Sequence, residues 1–215
     1  MSVLFLFLLF LIALPFVFIL GFFHIVSLSF ERLGLSPEVA VAVLFLMLVG
    51  SLINLPLGRR KLIEVEQPAL FGLFQRKSRL VAQGLSINVG GAMIPIALAV
   101  YFLSFVPLQP TLVVTFLMVI ISYRLARFVP GRGVVIPALF PAILSAIFAF
   151  VAAPDFAGPV AFVAGVFGVL IGADLLNLPK IQRETAGIMS IGGAGVFDGI
   201  FFIAIVAALL AGLAP

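Results

Sequence analysis

The chain has no cysteine, no tryptophan, one histidine and few charges of either sign. Each shortage closes off a chemistry. Without cysteine there are no disulfides, no thiolate metal ligands and no thiol nucleophile, and compartment cannot be read from thiol usage. With His24 as the whole histidine supply, neither a histidine-based metal cluster nor a Ser-His-Asp triad is expected. There is no GxxxxGK phosphate loop, and Gly131-Arg132-Gly133 does not continue into a dinucleotide fingerprint. The expectation is no metal and no cofactor. Charged residues make up 9% of the 215 positions, against about 25% in soluble domains, which excludes a water-exposed globular surface.

What fills the chain is apolar. Hydrophobic residues account for 64% of it, the mean hydropathy is +1.40, and runs of membrane-spanning length recur from end to end. The sequence predicts an all-α integral membrane protein, multi-pass in the cell membrane, with residues 1–215 forming a single transmembrane domain. The formal net charge of +4 fits basic loops on the cytoplasmic side of a bilayer, and no nucleic-acid partner is expected.

Seven spans are predicted, at roughly 3–23, 39–57, 90–106, 111–128, 134–153, 158–178 and 189–213. Of the 12 basic residues, Arg32 alone falls in the loops after the first, third and fifth spans. The loops after the even spans hold Arg59, Arg60, Lys61, Arg76, Lys77, Arg79, Arg124, Arg127, Arg132, Lys180 and Arg183. That asymmetry puts the even loops in the cytoplasm, with the N-terminus inside and the C-terminus outside. The 58–88 loop is the one sizeable extramembrane piece. Its segments 61–66 and 85–89 alternate as short paired strands would. Between them, Gln67 to Leu80 mixes Leu70, Phe71, Leu73 and Phe74 with Arg76, Lys77 and Arg79, a pattern suited to an anionic leaflet.

Polar residues gather toward one side. Ser51 and Asn54 close the second span, Asn88 precedes the third, Tyr123 closes the fourth, Asp174 and Asn177 close the sixth, and Ser190 and Asp198 open the seventh. An acid at a helix centre costs about 2.5–3.5 kcal/mol on insertion scales. Asp174 and Asp198 therefore need a partner, a wet cavity or a proton, and burial beside a second carboxylate raises one of the two pKa values. The Gly192-Gly193 pair permits a late start of the seventh helix, which would bring both acids to similar depth. The candidate catalytic residues are Asp174 and Asp198. Asn54, Asn88, Asn177, Ser190, Gly192, Gly193 and Gly195 are the candidates for holding a substrate or an ion.

Four segments carry a resemblance. Asn88-Val89-Gly90-Gly91-Ala92-Met93-Ile94-Pro95, Pro130-Gly131-Arg132-Gly133, Gly172-Ala173-Asp174-Leu175-Leu176 and the run from Ser190 to Phe201 are similar to motifs of domain of unknown function 1614. That is a family of small archaeal and bacterial membrane proteins, and the likeness spans roughly residues 50–213. The chain also resembles, more distantly, the Gly-x-Gly-Asp intramembrane aspartyl proteases of presenilin and prepilin type. It departs from their pattern in having Val196 and Phe197 between Gly195 and Asp198, and Ala173 where a tyrosine would precede the first acid.

Three functions fit. A hydrolase would share one proton between Asp174 and Asp198 and cleave a membrane-embedded peptide. A transporter or channel would bind a cation or proton at the same acids and move a small ion or solute. A non-catalytic scaffold would recruit a partner through the 58–88 loop.

Overall fold

The computed structural model describes residues 3–66, 78–129, 133–137, 139–179, 187–193, 200, 203, 206 and 209. The chain begins with α1 (Val3–Arg32) and α2 (Pro37–Gly50), then turns into β1 (Asn54–Glu66) and β2 (Ser78–Asn88). A π segment (Val89–Met93) leads into α3 (Ile94–Leu103), followed by α4 (Leu108–Leu125), the short β3 (Arg127–Val129) and β4 (Gly133–Val135), and α5 (Leu139–Ala152). A 3-10 turn (Pro154–Phe156) introduces α6 (Ala157–Val169), which runs on as a second π segment (Leu170–Leu175). Last comes β5 (Ile188–Ile191), and residues 200, 203, 206 and 209 are helical.

This corrects the expectation of seven spans in an all-α fold. Among the described residues, three helices are long and apolar enough to cross a membrane: Leu9–Glu31, Leu108–Leu125 and Pro154–Leu175. The apolar helices Pro37–Gly50, Val89–Leu103 and Leu139–Ala152 are shorter, reaching only about 21–23 Å at 1.5 Å per residue, less than a hydrocarbon core of about 30 Å. The second expected span stops at Gly50 because Pro56 and Gly58 follow within its apolar run. Proline removes a backbone donor and biases the residue before it toward extended backbone. The predicted seventh span does not start as a helix at 189, since Met189 lies inside β5.

α6 is the hub. In the apolar window of Pro154–Leu175, 67% of residues are buried, against 6% for Leu9–Glu31. It packs on α3, α4 and α5, and Phe162 sits edge-on to both Phe30 of α1 and Phe102 of α3, with ring centroids 6.2 and 5.2 Å apart. Small residues let α4 come close. A Cβ on Gly168 would overlap Met118, and one on Gly172 would overlap the Val119 carbonyl. Close backbone approach of this kind is how helices associate where lipid removes the hydrophobic driving force.

The sheet caps one end of the bundle in the order β1-β2-β5. β1 and β2 are antiparallel, from Asn54 opposite Asn88 to Glu66 opposite Ser78, with a register shift between Leu57 and Lys61. The expected pairing of 61–66 with 85–89 is replaced by a longer hairpin. Lys61–Glu66 faces Ser78–Gln83, Leu85–Asn88 faces Asn54–Leu57, and Val89 has left the sheet for the π segment. Arg79 and Leu80, expected in a surface stretch, belong to β2, while 67–77 lies outside the described residues. β5 joins the other side of β2 in parallel, Gly84–Ile87 against Ile188–Ile191. Pro56 is tolerated because β1 is an edge strand.

Candidate functional site

Three helical elements and the sheet meet where the backbone is least regular. Both π segments, Val89–Met93 and Leu170–Leu175, lie at this end, and Gly192 and Gly193 adopt left-handed backbone with φ of 77° and 76° just beyond β5. π bulges occur mostly at functional sites, and irregular backbone at membrane depth must line protein or water.

Asn88 organises the junction. It is fully buried, and every polar contact it makes is internal. Its Oδ1 accepts from the Gly91 N–H at 2.6 Å, capping the first π segment. Its Nδ2 donates to the Ser51 carbonyl at 2.7 Å and to Asn54 Oδ1 at 3.1 Å. Asn88 thereby ties the end of α2, the start of β1 and the head of α3 together. Asn54 Oδ1 also accepts from the Ser190 hydroxyl at 2.6 Å, which attaches β5 to the same point. Ser86, itself buried, donates to the Met189 carbonyl at 2.9 Å and adds a second tie between β2 and β5.

Asp174 belongs to the second π segment and is half-buried. Its Oδ2 accepts the Gly192 N–H at 3.2 Å. Gly192 is held from its other side by the first π segment. A Cβ on Gly192 would come within 2.5 Å of the Ala92 Cβ and 2.8 Å of its nitrogen, and the Gly192 carbonyl stands where a Cβ on Gly91 would be. Only glycine permits both the contact and the positive φ.

Asn177 reaches back into its own segment, donating from Nδ2 to the Gly172 and Ala173 carbonyls at 3.1 and 3.0 Å. It satisfies two of the carbonyls that a helix end leaves without partners.

Of the residues predicted from sequence, Asp174, Asn54, Asn88, Ser190 and Gly192 form one connected group through these bonds. Asn177 lies beside it as a cap, and Gly193 follows Gly192 in left-handed backbone. Asp198 and Gly195 lie outside the described residues. Sequence reasoning placed Ser51 at this end without a role and missed Ser86 and Gly91 as members of the junction. Gly91 carried a signal, the Asn88-Val89-Gly90-Gly91 run, whereas Ser86, whose hydroxyl binds the remote Met189 carbonyl, carried none.

The comparisons agree with the motifs. The family model described as protein of unknown function (DUF1614) matches residues 48–210, well over half of the chain, and the chain belongs to that family. No curated protein and no solved structure matches it, and the likeness to Gly-x-Gly-Asp proteases gains no support.

Proposed function

We propose that this member of the DUF1614 family is an ion-coupled membrane transporter in which Asp174 is the coupling group, on the cytoplasmic side. The distribution of basic residues supports the sidedness. One observation carries the rest: the Asp174 carboxylate holds the backbone N–H of Gly192 at 3.2 Å, across 18 residues. A charged acceptor makes a stronger hydrogen bond than a neutral one, so a proton or cation on Asp174 loosens its hold on Gly192. Gly192 rests against Gly91 and Ala92, so the loosening is passed to the π segment at the head of α3. Secondary-transporter sites lie where helix backbone is irregular, and an ionisable residue inside a membrane protein commonly marks an ion or proton path.

The test is flux through the purified protein in proteoliposomes, under imposed proton, sodium and potassium gradients. Gradient-driven flux that Asp174→Asn removes, with the protein still folded, is the expected result. Full flux in the variant, or none in the wild type across the panel, would refute the reading.

A second reading is favoured by the same contact. Gly192, bound to Asp174, opens the segment that leads to Asp198, so a shared-proton pair acting on a membrane peptide is the alternative. Cleavage of such a peptide, abolished by both Asp174→Asn and Asp198→Asn, would replace the transport reading with it.

A further inference from the structure

The end of α2 has no need of water. A helix leaves its last four carbonyls without intrahelical partners, and here all four are met by the residues just beyond. Those of Met47, Val49 and Gly50 accept the backbone N–H groups of Ser51, Leu52 and Ile53 at 2.9, 3.2 and 2.9 Å. That of Leu48 accepts the Ser51 hydroxyl at 2.6 Å. Past the helix, the Ser51 carbonyl accepts Asn88 Nδ2 at 2.7 Å and the Ile53 carbonyl accepts the Val89 N–H at 3.0 Å. The side chains at this turn nevertheless face outward. Leu52 is 76% exposed, and Ile53, Leu55 and Leu57 are exposed with it, continuing the outward face that Phe45 and Val49 form on α2. Asn54, the polar residue in the run, has its amide oxygen engaged by Asn88 and Ser190. A turn facing hydrocarbon must satisfy its backbone from within and present apolar groups outward, because each polar group left open there is costly. A turn facing water is under neither constraint, and this one meets both.

We infer that residues 52–57 are a lipid-contact surface, with the turn between α2 and β1 inside the hydrocarbon of the leaflet on the junction side and the start of β1 at its boundary. Length agrees with this. From Pro37 to Ile53 the chain rises about 25 Å at 1.5 Å per residue, against a hydrocarbon core of about 30 Å. Leu55 and Leu57 then fall near the boundary, where headgroups and water reach the open edge of β1. The sequence carries no charge between Glu38, exposed in the first turn of α2, and position 59. Two features favour lipid over a strand from a second copy. Pro56 removes a donor from the edge strand, and the register shift after Leu57 interrupts the ladder, both devices that keep edge strands from pairing. The surface sets the depth of the junction: Asn88, one hydrogen bond from the turn, is held at the hydrocarbon boundary. This inference needs only a chain embedded in a bilayer and stands apart from the transport reading.

The chain has no tryptophan, so a single introduced indole reports only its own surroundings. Full-length Leu52→Trp and Leu57→Trp are reconstituted in phosphatidylcholine vesicles, with Phe45→Trp on the outward face of α2 as the lipid reference. Phosphatidylcholine brominated on its acyl chains quenches from the hydrocarbon, and iodide quenches from water. Leu52→Trp should lose as much emission to brominated lipid as Phe45→Trp does and be protected from iodide. Leu57→Trp should respond most to bromines placed nearest the headgroup. If Leu52→Trp does not fold, Ile53→Trp takes its place with the same outcomes expected. Quenching of the turn reporter by iodide and not by brominated lipid overturns the inference, since the turn then faces water. Insensitivity to both quenchers overturns it as well, because protein then covers the surface. In that case Leu57→Cys, the only thiol in a chain without cysteine, should cross-link two copies if the cover is a second chain.

Discussion

Gly91 and Gly192 touch through their backbones, with the carbonyl oxygen of Gly192 in the space that a side chain on Gly91 would need. Residues a hundred positions apart in the chain are thereby seated on one another without any side chain between them. The contact joins the head of α3 to the turn after β5, and the Asp174 hydrogen bond grips that turn from the opposite side.

Gly91→Ala should therefore be severely destabilising, by about 3 kcal/mol or more, because the clash is with backbone that cannot rotate away. Gly21→Ala is the matched control, since nothing lies near a Cβ at that helical position. Thermal unfolding in detergent should separate the two, with Gly21→Ala at or slightly above the wild type.

Asn88→Ala should cost about 3 kcal/mol or more. It strips an acceptor from the Gly91 N–H, a donor from the Ser51 carbonyl and a donor from Asn54 inside a fully buried setting. Asn88→Asp should do no better despite its shape, because it keeps the cap on Gly91 and loses both donors. Unfolding midpoints of the two variants, compared with each other, check this.

Ser122→Ala should be neutral or stabilising by up to about 1–2 kcal/mol. The Ser122 hydroxyl is buried beside Gly172 and has no hydrogen-bond partner among the described residues. It also forgoes the bond to the preceding turn that Thr115 makes to the Thr111 carbonyl in the same helix. A clear loss of stability in the same unfolding assay would show that the hydroxyl is satisfied after all.

Asn177→Leu should release the Gly172 and Ala173 carbonyls and loosen the second π segment. The expected signature is faster amide exchange at Leu176, whose N–H reaches back to the Ile171 carbonyl at 2.9 Å, at a cost of about 1 kcal/mol. Unchanged exchange there would mean that the segment holds its shape without the cap.

The location of the junction was legible because its parts are polar residues and glycines in an otherwise apolar chain. Asn54, Asn88, Asp174, Ser190 and Gly192 stand out on that background and do come together. The contacts of one of them, and of Asn177 beside them, were not legible. Asn88 and Asn177 look available to a ligand in the sequence, yet the amide donors of both are engaged by the protein's own carbonyls, and which way an amide faces depends on neighbours far along the chain. Strands were expected at 61–66 and 85–89, but the start of β1 and the whole of β5 were hidden for a different reason. Leu52 to Leu57 reads as more of the preceding helix, and only Pro56 argued against it. Ser190-Ile191 read as the approach to a helix because its partner, Ser86-Ile87, lies on a strand from the other half of the protein. Among the described residues the span count failed on length: the helices Pro37–Gly50, Val89–Leu103 and Leu139–Ala152 have the right composition but give way to strands or turns before they are long enough to cross a bilayer.

The parallel pairing of β5 with β2 has a consequence for how the protein is made. Ser86 and the Met189 carbonyl it binds are separated by 103 positions, so a ribosome must deliver all of that intervening chain before the bond can form. Earlier helices can enter the bilayer one after another, but Asn54 lacks its serine donor and Asp174 its amide until residues 190 and 192 have emerged. A nascent chain halted at residue 187 could already hold Asn88 against Ser51, Asn54 and Gly91, but it would lack the ties from Ser190 and Gly192 and the burial of Ile203 against Gly165, so the polar junction and the core are both completed late in synthesis.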